Sequence, residues 1–136
     1  MTELEALQAA IAGEHAALYG VGVAGGKLSG ARFRAATTLY ERHRSRRDQL
    51  AELLIEGGLT PAAAAPAYDL PQPVTTAATA VALVLGLERR LTAVYGDLVE
   101  AAEQDRTRTF AIQALIATSR EQLAWGGRPA AFPGQV

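Results

Sequence analysis

The stretch "GGLTPAAAAPAYDLPQPV", residues 57 to 74, decides how the rest of the chain folds. It holds four of the six prolines, so we do not expect it to form a helix. Its 18 residues reach up to about 60 Å when extended, whereas helices of a bundle are usually joined by about 2 to 8 residues. The predicted helix before it, of roughly 27 residues, spans only about 40 Å. The connection can therefore return along the whole bundle and start the next helix parallel to the previous one.

Hydrophobic periodicity predicts four helices and no strand. The first begins near Thr2, which with Glu5 fits a capping box, and weakens at the glycines from residue 20 to 26. The others are predicted from 30 to 57, from 75 or 76 to about 104, and from about 107 to 125. The two short connections require antiparallel neighbours. We predict an all-α four-helix bundle over residues 1 to 125, made of two hairpins and one long crossover, followed by a flexible tail at 126 to 136. An up-down bundle with a floppy middle loop is the alternative.

Composition limits the kinds of partner. The formal net charge of −1 argues against nucleic acid, because phosphate binding needs an excess of Lys and Arg. The absence of cysteine excludes disulfides and thiolate metal sites. The longest apolar stretch, residues 74 to 87, is interrupted by threonines and shorter than the roughly 20 residues of a membrane span. With no apparent signal peptide, we expect a cytoplasmic protein that contacts no membrane.

The sequence "GVGVAG", residues 20 to 25, fits the G-x-G-x-x-G pattern of dinucleotide-binding loops. That pattern requires a strand before it and a helix directly after it, and here the preceding residues are helical. We interpret these glycines as loosening the end of a helix or as letting another helix approach closely.

Ionisable residues interrupt the apolar stripes of three predicted helices. Glu14 lies between Ile11 and Leu18 on the first helix, and Glu88 flanks the stripe of the third. On the second helix, counting back from Leu54 in steps of four and three gives Leu50, Arg47, His43, Tyr40, Ala36 and Phe33. The same counting turns Ile112, Ile116, Ser119 and Leu123 of the fourth helix inward and leaves Glu121 off the inward stripe.

In the predicted hairpin, the ionisable residues that interrupt the apolar stripes lie at about the same level along the bundle axis. If the first two helices turn near residue 27 or 28, Glu14 lies level with residues 40 to 42 and within reach of the His43 side chain. Because an unpaired buried carboxylate is costly, we expect a buried polar network or ligand site in the middle of the bundle. Its predicted members are Glu14, Tyr40, His43, Arg47 and Glu88.

This layout resembles the ferritin-like proteins, whose di-metal centres take one Glu from each of two helices and a Glu-x-x-His from each of the other two. Glu14 and Glu88 match the single glutamates, and Tyr40-x-x-His43 keeps the histidine but lacks the carboxylate. The fourth helix has no histidine in "ATSREQLAW". The segments "EHAALYGVGVAGGKLSG", "HRSRRDQLAELL" and "PAYDLPQPV" resemble an uncharacterised bacterial ferritin-like family of unknown function. The resemblance implies a fold with a long crossover between the second and third helices, and it brings no known activity.

The polar layer has three interpretations. We favour Arg47, helped by His43 and Arg46, as a replacement for the metals, since a guanidinium can bridge carboxylates and would repel a cation. The chain would then be a non-catalytic binding or structural module without a cofactor, a homodimer through its Ala-rich helix faces. The second is a metal-dependent oxidoreductase or metal-binding protein with iron or manganese on Glu14, His43 and Glu88. The third is a pocket for an unidentified small ligand.

Overall fold

The computed structural model describes residues 1–134 and contains four helices. They are α1 (Glu3–Gly25), α2 (Gly30–Glu56), α3 (Ala77–Ala101) and α4 (Asp105–Ala124). The predicted capping box at the start of α1 is present: Thr2 Oγ1 accepts from the Glu5 amide at 3.1 Å, and the Glu5 carboxylate accepts from the Thr2 amide at 2.8 Å. The fold class is therefore the predicted all-α four-helix bundle. Within residues 1–134, no helix is both long enough and apolar enough to cross a membrane.

Two apolar clusters fix the directions of the helices. The first cluster joins Leu7 and Ile11 near the start of α1 to the C-terminal halves of α2 and α3, through Leu50 and Leu98 among others. The second joins the end of α1, at Val21 and Ala24, to the N-terminal halves of α2 and α3. Its members there are Ala36, Leu39, Ala80, Leu83 and Val84. Helix α1 thus runs antiparallel to both α2 and α3, so α2 and α3 are parallel, and the predicted crossover topology is confirmed.

The crossover lies along α1. Near its start, the Gln8 side chain donates to the carbonyl of Thr60 at 2.8 Å, and its amide oxygen accepts from the Ala62 amide at 2.9 Å. Two turns further along α1, His15 Nε2 lies 2.9 Å from the Ala62 carbonyl. Beyond it, the ring of Tyr19 contacts that of Tyr68, with centroids 5.7 Å apart. These contacts satisfy backbone groups that a long loop would otherwise leave to water.

The inward face of α4 differs from the sequence prediction. Its buried residues are Thr107, Ala111, Ala114, Thr118 and Glu121. Ile112, Ile116 and Leu123, predicted to face inward, are 41%, 46% and 48% exposed. That prediction is wrong because it selected the largest apolar side chains, whereas α4 turns small ones to the bundle. Small side chains allow closer approach of two helices, and the large ones are left on the outside.

The glycine-rich end of α1 is continuous helix, and Gly20 permits a close contact with α3. A Cβ added at Gly20 would lie 2.5 Å from Leu87 Cδ1, whereas one added at Gly22 would meet nothing within 4 Å. Both belong to α1, so alanine gains the same helix propensity at either position. At Gly20 the buried Leu87 must also repack, and overpacking costs about 1 to 3 kcal/mol.

We therefore expect Gly20→Ala to be less stable than Gly22→Ala by about 1 to 3 kcal/mol. Urea denaturation of the two variants beside the parent chain measures this difference, and Gly22→Ala alone should be stabilised. Equal stabilisation of both variants would contradict the close packing of α1 on α3.

The residues after α4 lie against the bundle as far as they are described. A Cβ added at Gly96 would lie 3.0 Å from the Gly134 carbonyl oxygen, so the two backbones are close together. The flexibility predicted for residues 126 to 136 stays a prediction. Its last two positions, 135 and 136, lie outside the described residues.

Candidate functional site: a buried ion-paired network

Five polar side chains meet between the two apolar clusters, at mid-height in the bundle. Glu14 comes from α1, His43 and Arg46 from α2, and Glu88 and Tyr95 from α3. Four of them are fully buried, and Arg46 is 8% exposed. Charged groups removed from water to this extent are tolerated only when they are paired and hydrogen-bonded.

His43 lies at the centre of the network. Its Nδ1 is 2.6 Å from Glu14 Oε2, and its Nε2 is 2.5 Å from Glu88 Oε1. Two ionised carboxylates can both accept from the ring only if each nitrogen carries a proton, which describes the imidazolium. Burial lowers the pKa of His43, but hydrogen bonds to Glu14 and Glu88, and their charges, raise it overall to about 9. The ring is therefore a cation at neutral pH.

Glu14 joins all three helices of the site. Its Oε1 accepts a hydrogen bond from Arg46 Nε at 3.1 Å and another from Tyr95 Oη at 2.6 Å. Burial raises the pKa of this carboxyl, but the hydrogen bond and charge of His43 and the charge of Arg46 lower it below its ordinary value overall. Burial and the adjacent Glu14 charge raise the pKa of Tyr95 well above its ordinary value, so its hydroxyl stays a donor.

The charges of the network balance. When the imidazolium of His43, the guanidinium of Arg46 and the carboxylates of Glu14 and Glu88 are all charged, the site carries two positive and two negative charges. Arg46 Nη2 also lies 3.1 Å from His43 Nδ1, and the Glu14 carboxylate that contacts both cations offsets their repulsion. Removing any one charged member would leave a net charge in a region closed to water.

One oxygen of the network is left without a partner. Glu88 Oε2 is the single buried side-chain nitrogen or oxygen in the described part of the chain that makes no hydrogen bond. One turn later, Thr92 Oγ1 donates to the Glu88 backbone carbonyl at 2.7 Å and accepts from Gln122 of α4 at 2.7 Å. These two hydrogen bonds link the backbone of α3 at Glu88 to α4.

The structure brings together three of the predicted site residues: Glu14, His43 and Glu88. The placement of Arg47 is corrected, because it bonds to its neighbour Asp48 at 2.9 Å and its side chain is 32% exposed. Tyr40 is also outside the network and 36% exposed. The buried face of α2 consists instead of Ala36, Leu39, His43, Arg46, Leu50 and Leu54. The predicted and observed faces share Ala36, His43, Leu50 and Leu54, and they differ because Arg46 and Leu39 take the places predicted for Arg47 and Tyr40.

Two features of the site were missed by sequence reasoning. Tyr95 lies seven residues, or two turns, after Glu88 and therefore on the same face of α3, which is a usable signal. Glu121 was predicted to lie off the inward face, but it is 9% exposed and accepts a hydrogen bond from Arg42 of α2. This pair lies outside the central network, and neither of its side chains hydrogen-bonds to Glu14, His43, Arg46, Glu88 or Tyr95.

The donor set does not fit a pair of metal ions. Both nitrogens of His43 face carboxylates, and as long as the ring is the imidazolium that its raised pKa favours, neither has a free lone pair for a metal. Arg46 brings a fixed positive charge to the glutamate that a metal would need. Among residues 1–134, no three His, Cys, Asp or Glu side chains are grouped as metal ligands.

Comparison with known families and structures agrees with this fold. The sequence model of a domain of unknown function, DUF4439, matches residues 6–136. The crystal structure of a conserved hypothetical protein, Rv2844, from Mycobacterium tuberculosis is similar to the chain at a TM-score of 0.88 and 32% identity. The match covers 90% of this chain and 93% of that one.

A more distant likeness is to the crystal structure of a Dps mutant from Listeria innocua. The TM-score is 0.79 at 17% identity, with 92% of each chain covered. At that identity the likeness shows the fold alone, and it confirms the predicted ferritin-like bundle. No curated protein matches the sequence.

Proposed function

Because the chain belongs to the DUF4439 family of unknown function, we propose a role for it from its buried site. The protein is a non-catalytic binding or structural module in which an ion-paired network replaces a ferritin-like metal centre. Glu14, His43, Arg46 and Glu88 are the members of that network. Its task is to fix the register of the helices, one use that buried charges are known to have.

The observation that supports the proposal best is the position of His43. A ring held between carboxylates of two other helices, at 2.6 and 2.5 Å, sets the height and the rotation of α2 against α1 and α3 at once. The same ring is 0% exposed, and so are both glutamates, which leaves a substrate no direct access to them. A catalytic acid or base must come within hydrogen-bond reach of its substrate.

The proposal is tested by metal analysis. Protein purified without chelator should contain far less than one equivalent of iron or manganese per chain, and EDTA should leave its melting temperature unchanged. The same metal analysis is made on Arg46→Met, which removes the guanidinium but keeps every possible metal ligand. The comparison with the parent protein shows whether the guanidinium is what excludes metal. Two equivalents of iron or manganese in the parent protein, or a lower melting temperature with EDTA, would contradict the proposal.

A metal-dependent oxidoreductase or metal-binding protein is the second candidate, supported by the unpartnered Glu88 Oε2. Under this alternative one iron or manganese ion would be held by Glu14, His43 and Glu88, after His43 has lost a proton. Metal binding would then release protons and strengthen as the pH rises. The same metal analysis, repeated at pH 6 and pH 9, separates the two candidates.

We propose further that the module works in the cytoplasm as a homodimer. Phe33 and Tyr40 lie two turns apart on one face of α2 and are 49% and 36% exposed, which gives the chain an apolar face for a second copy. Sedimentation velocity decides the point, since a monomer at every accessible concentration would exclude the dimer.

A further inference from the structure

A cavity of about 650 Å³ lies between α3, α4 and the C-terminal segment, residues 125 to 134. Small-molecule sites in proteins usually have volumes of about 300 to 1,000 Å³. The cavity does not include any member of the buried network. Its binding properties are therefore separate from the proposal above.

The walls of this cavity are largely apolar. They include Ile116 and Leu123 of α4 and Phe132 of the C-terminal segment. These three side chains are 46%, 48% and 70% exposed, so each leaves apolar surface in contact with water. Grouped apolar surface of this kind commonly marks a place where a ligand or partner binds.

Three arginines from three different elements line the same cavity. They are Arg89 of α3, Arg120 of α4 and Arg128 of the C-terminal segment, and no Asp or Glu is among the lining residues. In the described part of the chain, none of the three lies within salt-bridge distance of a carboxylate. Within residues 1–134, Arg32, Arg34, Arg90 and Arg108 also lack such a partner, so the cavity is distinguished by the grouping of three unpaired arginines from three elements. In a chain of formal net charge −1, this is a local excess of positive charge beside an apolar wall.

We propose that the cavity binds an amphipathic carboxylate, such as a free fatty acid. The hydrocarbon part would lie against Ile116, Leu123 and Phe132, and the carboxylate would lie among the arginines. Guanidinium groups bind carboxylates through two parallel hydrogen bonds, which gives the head group a preferred orientation. The apolar part supplies affinity through the area that it removes from water.

The C-terminal segment closes one side of the cavity and is held at both ends. A Cβ added at Gly127 would lie 2.7 Å from the Gln122 carbonyl oxygen of α4. At the other end, Gly134 has a φ of +88°, and its carbonyl oxygen would lie 3.0 Å from a Cβ at Gly96. Arg128 and Phe132 lie between these two contacts. The contacts at the two ends of the segment therefore position one charged and one apolar residue of the cavity wall.

Calorimetric titration of the full chain with decanoate, below its micelle concentration, tests the proposal. Arg89→Gln, Arg120→Gln and Arg128→Gln combined should weaken decanoate binding at least about tenfold, since charge-assisted hydrogen bonds to the carboxylate are lost. Arg34→Gln, Arg44→Gln and Arg47→Gln combined remove the same number of charges from α2, away from the cavity lining, and this matched control should not change the affinity. Decyltrimethylammonium, which has the same chain length and the opposite charge, should bind more weakly than decanoate.

A second pair of variants tests the C-terminal segment. Gly96→Ala should displace Gly134 and weaken decanoate binding severalfold, whereas Gly86→Ala on the same helix meets nothing within 4 Å and should leave it unchanged. Circular dichroism melts verify that both variants fold.

Three results would overturn the proposal. The first is equal decanoate affinity in the parent chain and in the triple arginine variant. The second is binding to vesicles of anionic phospholipid without binding to free decanoate, which would make the face a membrane surface. The third is a dimer that dissociates in the triple variant while decanoate binds neither form, which would make the cavity a contact between copies of the chain.

Discussion

Arg46→Ala should lower the free energy of unfolding by about 3 to 5 kcal/mol, while Arg47→Ala should lower it by less than about 1 kcal/mol. The two arginines are adjacent in sequence and differ in partner and burial. Arg46 donates to the buried Glu14, whose carboxylate would keep only His43 and Tyr95 as partners in the variant. Arg47 bonds to Asp48 at the surface, where water replaces the lost contact. Urea denaturation of both variants measures the difference, and similar losses would contradict the assignment of Arg46 to the network.

A double-mutant cycle shows whether this loss comes from an uncompensated charge. Glu14→Leu leaves two cations with one carboxylate, and Arg46→Met leaves the reverse imbalance. The double variant keeps only the balanced pair of His43 and Glu88, so it should be destabilised by much less than the sum of the single losses, with a coupling of about 2 kcal/mol or more. Additive losses would mean that these two side chains do not interact in solution.

The protein should lose about 3 kcal/mol of stability between pH 6 and pH 10 through the deprotonation of His43. The folded-state pKa of His43, about 9, is above its ordinary value of 6.5. Its contribution is therefore fully present below pH 6.5 and is lost as the pH rises through 9. The pKa of Glu14 is lowered, which gives the opposite dependence at acidic pH. Its contribution to stability is present above the ordinary pKa of 4.5 and is lost as the pH falls below that value. Stability should thus be highest between about pH 5 and pH 6.5.

Urea denaturation at a series of pH values measures this dependence. His43→Gln should remove the loss between pH 6 and pH 9, whereas the control His15→Gln should retain it, because His15 contacts the Ala62 carbonyl outside the network. If His43→Gln proves too unstable, the ring-proton chemical shifts of His43 report its titration directly in the parent chain. A His43 that titrates at or below its ordinary pKa would contradict the imidazolium in the network.

The sequence was sufficient for the helices and their order because each depends on local patterns and on length. The four prolines of residues 57 to 74 and the capping pattern at Thr2 predict element boundaries without knowledge of the packing. The charges on Glu14 and His43 could also be located, since burying either one requires a partner.

The rotation of the helices was harder to predict. Arg46 and Arg47 lie on either side of the line that continues from Leu50, so periodicity alone does not choose between them. Residues one turn before His43 distinguish the two stripes. The stripe through Arg46 contains the purely apolar Leu39, and the stripe through Arg47 contains Tyr40, whose hydroxyl favours the surface. In the structure Leu39 is 1% exposed and Tyr40 is 36% exposed. On α4 such a signal is absent. Its large apolar residues form a regular stripe on the wrong face, and only the close approach of neighbouring helices favours Ala111 and Ala114 at the core.

The division of the network between the two hairpins has a consequence for how the chain assembles. The α1–α2 hairpin contributes one carboxylate and two cations, and the α3–α4 hairpin contributes the single carboxylate of Glu88. Each half-molecule therefore presents an unbalanced charge on its apolar face until the other half docks. If the two hairpins docked one helical turn out of register, about 5.4 Å, the net positive charge of one and the net negative charge of the other would both be buried without a partner. Burying unpaired charge is costly, so the network disfavours misaligned docking that apolar side chains alone would tolerate. The long crossover then needs only to reach the far end of the bundle, and the charges select the alignment.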